Sequence, residues 1–438
     1  MEFRKRVKRQ HQRRPRWCCL LPLGAGALFI AMTFDISAQP VTVSLSRSEA
    51  MRMATERSPR LSLTRADSAM AAAGLQLARQ FENPAFSALY TKSAPETHFS
   101  LDVPIEWPGA RRSRISASES EVAAATFRRA NERAALELDV DTAYSRAQAL
   151  AARSTLSARI ARDADSLLII ARIRRDAGDA SDLDVELAVV FAGQNQNIAM
   201  NDSIAAIASR TILQALLGLS IDSARVTLTE TIDIATLPTT ERLTIAPVPL
   251  GGARDASATT SSSYAVAAAE RDLDAASYRV LVEQRRRLPA PSLAVGFEAV
   301  NPGGSGGLLP TVGFAVPLPI FNRNAASLQV ARATQERARV SVSLVKLERA
   351  LTLSNAIREA QAAQARSVRS SQLVASANRI AALSLVAYRE GASALSAALD
   401  AQRAAREALA QYVDDVATSR IADSVLRFYS LTSVMPPQ

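Results

Sequence analysis

From about residue 110 onward, the apolar positions step at helical intervals in two long stretches. Leu136, Val140, Ala143, Ala147 and Leu150 are spaced 4, 3, 4, 3, and Leu353, Ala356, Ala360 and Ala363 continue the same pattern further on. This is a heptad seam with small knobs, and it predicts helices that pack closely on partners. Ahead of each stretch the period changes to two. In HFSLDVPI (98–105) Phe99, Leu101, Val103 and Ile105 alternate with His98, Ser100, Asp102 and Pro104. In PSLAVGFEAV (291–300) Leu293, Val295, Phe297 and Ala299 alternate with Ser292, Ala294, Gly296 and Glu298, and TVGFAVP (311–317) repeats the pattern. A fourth, weaker alternation is AFSALYT (85–91). Apolar on one face and small or polar on the other suits a transmembrane strand, and it suits a soluble two-sheet module equally well. Hairpin loops are expected at 92–97 and 301–310.

The breakers lie between the two periods. VPLPIFNRN (316–324) holds Pro317 and Pro319, and no proline follows until Pro436; VPIEWPGAR (103–111) holds Pro104 and Pro108, and none follows until Pro238. Proline has no N–H for a ladder, so each elbow ends a strand, and Asn322 or Asn324 can cap the helix beyond, with Gly109 in place of Asn322 in the first elbow. Pro104 and Pro317 are 213 positions apart, and so are Gly178 and Gly391. Two landmarks that keep one offset mark a tandem duplication.

Each copy reads as a modest helix (about 46–80 and 263–287), two strands (about 85–91 and 98–106; 291–300 and 311–318), the elbow, and a very long helix (about 110–175 and 324–389). A glycine turn and a second helix follow (about 181–217 and 394–428). The expected domains are therefore residues 39–219, with long helices over 110–217, and 263–430, with long helices over 324–428. A linker over 220–262 joins them, with a strand expected at RVTLTE (225–230), and a tail over 431–438 follows.

A helix of about 66 residues is about 100 Å long, and no globular domain of this size buries such a rod. Four membrane strands cannot close either, because two edges would leave backbone groups unpaired in lipid. Several copies must share one axis, and small inward residues such as Gly296 and Gly313 favour three, with twelve strands and an open lumen. The predicted fold class is mainly α with transmembrane β: a trimeric 12-strand barrel continued by a helical barrel.

Composition agrees with long helices, being 48% hydrophobic but only 5% aromatic. The net charge of +10 resembles a nucleic-acid signature, but residues 1–38 hold eight Lys/Arg against two acids, a local excess of six. That basic block precedes CCLLPLGAGALFIAMTF (18–34) and Ala38, the pattern of a secretory signal peptide over 1–38. No nucleic-acid partner is expected. Cys18 and Cys19 both fall in that leader, so no disulfide framework or thiol chemistry is expected in the exported chain.

The duplication, the strand pair ahead of each long helix and the glycine turns resemble the outer-membrane efflux protein (TolC-like) family over most of the exported chain. PLPIFNRN and its counterpart WPGARRSRI look most like the heavy-metal-efflux (CzcC-like) branch. The resemblance implies an outer-membrane exit duct of a tripartite efflux pump with a long periplasmic portion. It implies a homotrimer in outer-membrane lipid, a periplasmic adaptor (membrane fusion) protein and an inner-membrane resistance-nodulation-division type pump. It also implies adaptor docking at the helix tips, here Gly178, Ala180, Ser181, Gly391, Ser393 and Leu395. Asp184 and Tyr388 match positions that pair in the closed state of some members, and Asp400 matches an acidic ring, giving a candidate periplasmic gate. The chain departs from that pattern at Ser393, where the family often has a basic residue.

Chemistry is absent from the sequence pattern. One histidine, His98, remains outside the leader, GGSGG (303–307) precedes no helix, and Asp182 and Asp184 diverge at i, i+2. No catalytic residue, cofactor or resident metal is expected. Heavy-metal cations are one reading of the cargo; drugs or other small organic molecules are another. A periplasmic coiled-coil adaptor or scaffold is the reading from a different class.

Overall fold

The computed structural model describes residues 41–92, 97–219, 224–230, 263–288, 290–299 and 307–431. The expected signal peptide, most of the linker, the loop positions 93–96 and 300–306, and residues 432–438 lie outside the described residues.

The chain enters through strand β1 (Val41–Leu45) and helix α1 (Arg47–Arg57). Ser46 and Glu49 start α1 with a reciprocal capping box, satisfying two backbone N–H groups that the first turn leaves free. A single helix over 46–80 was expected, but the structure has two. Ser58 takes an extended conformation, ending α1 and preceding α2 (Pro59–Arg79), because a residue before proline is pushed out of the helical region. Pro59 itself fits the first turn of α2, where its missing N–H has no role.

Strands β2 (Ala85–Tyr90) and β3 (Thr97–Pro104) lead through the first elbow into α3 (Pro108–Asp176), 69 residues long and therefore about 100 Å. Helix α4 (Asp182–Leu216) returns, and β4 (Ala224–Leu228) follows. The second copy supplies α5 (Tyr264–Arg285), β5 (Ser292–Ala299), β6 (Leu308–Ala315), α6 (Ala325–Arg389) and α7 (Leu395–Leu431).

Strands of both copies make one antiparallel sheet in the order β2-β3-β5-β6. The centre is the β3–β5 pair, which sets His98 opposite Glu298, Ser100 opposite Gly296 and Asp102 opposite Ala294. On these two strands the apolar face (Phe99, Leu101, Val103, Val295, Phe297) is the exposed one, while the polar face is the more covered, as on the inner side of a curved sheet. Strand β6 begins earlier and ends earlier than the expected 311–318. Pro310 lies near its start, opposite Phe297. Gly296 is required: a Cβ there would stand 2.3 Å from the Phe99 carbonyl oxygen.

The first seam is covered from several sides. Leu136, Val140 and Ala147 of α3 pack with Ala50 and Ala54 of α1, Leu61 of α2, Leu213 of α4, Leu217 just beyond it, Leu45 of β1 and Val226 of β4. β1 and β4 pair in parallel, Val41 with Ala224 through Leu45 with Leu228, so part of the expected linker is a strand seated on α3. Tyr144 donates its hydroxyl to the Leu45 carbonyl at 3.0 Å, and Gln148 donates to the Glu230 carbonyl at 2.8 Å, fixing that pair to the rod. In the second copy Leu353, Ala356, Ala360 and Ala363 of α6 pack on Ala422 and Leu426 of α7. Small knobs let these backbones approach, and each buried leucine contributes roughly 2 kcal/mol. Among the described residues no helix is long and apolar enough to cross a membrane.

Candidate functional sites at the elbows and the helix tips

At the first elbow the ladder runs one residue past Pro104: the Ile105 N–H donates to the Pro291 carbonyl at 2.8 Å. Pro108 is the first residue of α3, after Trp107 in an extended conformation. Gly109 has a steric purpose, because a Cβ would lie 3.0 Å from the Arg285 guanidinium, which donates to the Gly109 carbonyl and, at 2.6 Å, to Ser113 Oγ. The basic run of WPGARRSRI secures the end of α2. Arg111 donates to the Arg79 carbonyl at 2.8 Å, and Arg114 donates to the Ala78 and Gln80 carbonyls while holding Glu106 with both terminal nitrogens at 2.6 and 3.0 Å.

At the second elbow Pro317 and Pro319 lie beyond the end of β6 in irregular chain. The expected side-chain cap is not there. Asn324 occupies the cap position in the left-handed region, with φ of 56°, and makes no capping hydrogen bond. Instead Asn322 Oδ1 accepts from the Asn324 N–H at 2.9 Å, and Asn324 Nδ2 donates to the Glu283 carbonyl at 2.9 Å and carboxylate at 2.7 Å. Asparagine tolerates this backbone better than other non-glycine residues, which is why a short amide and not a hydroxyl occupies it. Glu283 and Arg285, neighbours at the end of α5, therefore hold both elbows. Nothing in the spacing of the elbows pointed to α5.

At the opposite end of the rods, both helices stop with the same hydrogen-bond pattern. Gly178 N–H donates to the Arg175 carbonyl and Asp179 N–H to the Arg174 carbonyl; Gly391 N–H donates to the Tyr388 carbonyl and Ala392 N–H to the Ala387 carbonyl. Both glycines are left-handed, with φ of 85° and 73°, a conformation that costs any residue with a Cβ. Ser181 and Asp184 then open α4 with a second capping box.

Beneath these turns lies a shared core of Ala164, Leu167, Ala171, Val185, Ala188, Phe191, Tyr388, Leu395, Ala398 and Leu399, contributed by all four long helices. Leu395 corrects one expectation. It is 1% exposed, so it supports the tip from inside and presents nothing to a partner. Ser181 and Gly391 are exposed, Ala180 and Ser393 half-exposed, and the neighbouring Leu183 is 68% exposed.

The three gate candidates do not meet within one chain. Asp184 is hydrogen bonded to Ser181, and Asp400 accepts from Arg403 at 2.9 Å on the surface. Tyr388 is buried with its hydroxyl oxygen unpartnered, and Arg174 lies 4.8 Å from its ring centroid. Arg174 was not singled out by the sequence, since nothing in its own neighbourhood distinguishes it from Arg172 or Arg175. Arg175 itself is raised above the usual guanidinium range, first by its hydrogen bond to Asp176.

Midway along the rods the helices are joined by charge. Arg153 of α3 reaches Asp202 of α4 at 3.0 Å and Asp414 of α7 at 3.1 Å. Burial pushes the Asp414 carboxyl up, against the pull of Arg153, and burial also raises Asp423. Among the described residues no group of three or more His, Cys, Asp or Glu side chains could hold a metal ion.

Residues 257–431 match the family model described as Outer membrane efflux protein. The nickel-cobalt-cadmium resistance protein NccC of Alcaligenes xylosoxydans xylosoxydans is 25% identical over 334 residues, covering 74% of this chain and 71% of that protein. Among solved structures, the outer-membrane channel OprN superposes with a TM-score of 0.74 at 18% identity, covering 89% of this chain and 91% of that one. The outer membrane protein VceC of Vibrio cholerae gives 0.71 at 17% identity, covering 88% and 96%. At these identities the structural likeness shows the fold: a duplicated strand-and-rod chain of the same design.

Proposed function

We propose that the chain is a member of the outer membrane efflux protein family, whose model matches residues 257–431, and that three copies close into the exit duct of a tripartite pump whose cargo is divalent heavy-metal cations. One observation carries the oligomer. The four-stranded sheet is open at β2 and β6, and it runs directly into two rods of about 100 Å. An open edge in lipid costs several kcal/mol per unpaired backbone group, so the sheets must join edge to edge. Twelve strands leave a lumen, where eight would fill it with side chains.

The chain's own residues divide the work. Phe99, Leu101, Phe297 and Phe314 face lipid; His98, Ser100, Asp102 and Glu298 face water. Gly178, Ala180, Ser181, Gly391 and Ser393, with Leu183 beside them, form the surface for a periplasmic adaptor, and the inner-membrane pump acts through it. Asp184, Tyr388 and Asp400 sit near the periplasmic end, where three symmetric carboxylates would attract cations into a narrow pore. The duct does no chemistry and needs no bound cofactor. The metal cargo rests on the likeness to the nickel-cobalt-cadmium resistance protein.

Two measurements test this. The protein, extracted from outer membranes in mild detergent, runs as a heat-dissociable species of three chains; a monomer in the periplasmic fraction overturns the duct. A strain lacking the chain becomes sensitive to nickel, cobalt or cadmium; sensitivity to drugs alone overturns the metal cargo and leaves the duct standing.

A further inference from the structure

His98 and Glu298 stand opposite each other on the two central strands, with imidazole Nδ1 and carboxylate Oε1 3.1 Å apart. Both are on the polar, more covered face of the sheet and each is about one-third exposed, with side-chain exposures of 30% and 33%. Their row across the sheet is completed by Leu89 on β2 and Leu309 on β6, so apolar side chains flank the pair on both sides. A structural cross-strand pair would account for the contact. It would not account for the chemistry of the rows below. Ser87 Oγ and Ser100 Oγ are 2.7 Å apart, and Ser100 Oγ donates to Asp102 Oδ2 at 3.4 Å. Rows on one face repeat every two residues, roughly 7 Å, so oxygen and nitrogen donors recur along the strands.

The orientation of the ring is the decisive feature. A carboxylate only accepts hydrogen bonds, so the imidazole facing Glu298 donates from Nδ1. In the neutral ring the lone pair is then on Nε2, the nitrogen that binds borderline transition ions. A carboxylate behind a histidine is the usual means of fixing that tautomer and raising its basicity as a ligand.

We propose that His98, positioned by Glu298, is a weak transition-cation contact on the inner wall of the barrel, from which ions step toward Asp102. One nitrogen ligand per chain, with no third ligating group beside it among the described residues, favours brief occupancy over retention, which is what passage requires. The proposal rests on the duct reading for its lumen.

The test uses the full chain labelled with 15N-histidine in detergent, whose two histidines are His11 and His98. A His98→Asn sample identifies the His98 signals. Nickel chloride broadens the His98 imidazole, EDTA restores it, and magnesium chloride at the same concentration does not act. Glu298→Ala raises the nickel concentration needed by about 10-fold, the scale of losing an orienting carboxylate. Glu298→Gln, which keeps an acceptor opposite Nδ1, loses less, and serves if the alanine variant folds poorly. No nickel response, an equal response to magnesium, or an unchanged nickel response in both Glu298 variants overturns the proposal. Conductance and heat-dissociable trimers of unsubstituted and His98→Asn protein are measured alongside. Their presence with no nickel response removes the site alone; their absence in the unsubstituted chain removes the duct.

Discussion

Arg174, at the end of the first long helix, is bound to Tyr388, at the end of the second, through both its backbone and its ring. The guanidinium Nη1 donates to the Tyr388 carbonyl at 2.7 Å, and the cation lies 4.8 Å from the ring centroid. That carbonyl also accepts from Gly391 N–H, so the side chain of one hairpin completes the helix end of the other.

Arg174→Ala removes a charged hydrogen bond and a cation–π contact, together roughly 1–2 kcal/mol of local tip stability. Hydrogen exchange of the amides at Gly391 and Ala392 should quicken, with global unfolding little changed. Arg174→Lys keeps charge but not the planar fork, and should recover only part of the protection. Unchanged exchange in Arg174→Ala would show that the contact carries no stability.

The glycines separate two kinds of requirement. A Cβ at Gly178 meets nothing within 4 Å, and one at Gly391 meets only Arg174 Nη2 at 4.0 Å, so alanine costs backbone strain alone at either tip. That strain is about 1–2 kcal/mol for a left-handed residue. At Gly296 the backbone is ordinary strand, but the Phe99 carbonyl blocks a Cβ. Gly178→Ala and Gly391→Ala should assemble with a lower melting temperature, and Gly296→Ala should lose the heat-dissociable trimer. The reverse order of severity would contradict the sheet register.

Burial raises the carboxyls of Asp414 and Asp423 above the usual 3.8. The folded state therefore binds more protons than the unfolded chain between 3.8 and the raised values, and stability falls as pH climbs through that window. Asp414→Asn plus Asp423→Asn should flatten this decline and raise stability at neutral pH, by less than about 1 kcal/mol for each site after solvent screening. Calorimetry from acid to neutral pH reads it, and an undiminished decline in the double variant would place its cause elsewhere.

Local patterns in the chain reached as far as contacts whose partners lie near in sequence or repeat at a fixed period. The alternation at His98–Ile105 and the small knobs at Ala356, Ala360 and Ala363 announce a strand and a close helix pair, because side-chain periodicity records which face is covered. The break at Ser58–Pro59 was missed inside an expected single helix, although the proline is a local signal. What else escaped depends on distant pairing. β1 finds β4 about 180 residues away, and five residues of VTVSL carry too little pattern to announce it. Arg174 is one arginine among several until the second hairpin brings Tyr388 beneath it. Leu395, read as a tip residue, is drawn inward by the shared core, since its place one turn from Gly391 is where all four helices converge.

The second elbow offers a sharp test of how strand becomes rod. Asn324 is the only described non-glycine residue with positive φ, and its amide donates twice to Glu283 at the end of α5. Asn324→Gly keeps the backbone and loses the amide; Asn324→Ala loses both. The glycine variant should cost about 1–2 kcal/mol for the carbonyl and carboxylate left without their donor, and the alanine variant about 1–2 kcal/mol more for the left-handed backbone. Glu283→Gln should resemble a mild form of the glycine variant, because its own carbonyl and amide oxygen still accept. Thermal dissociation of the purified trimer ranks all four proteins. If Asn324→Ala is as stable as Asn324→Gly, backbone strain is not what selects asparagine at the point where α6 begins.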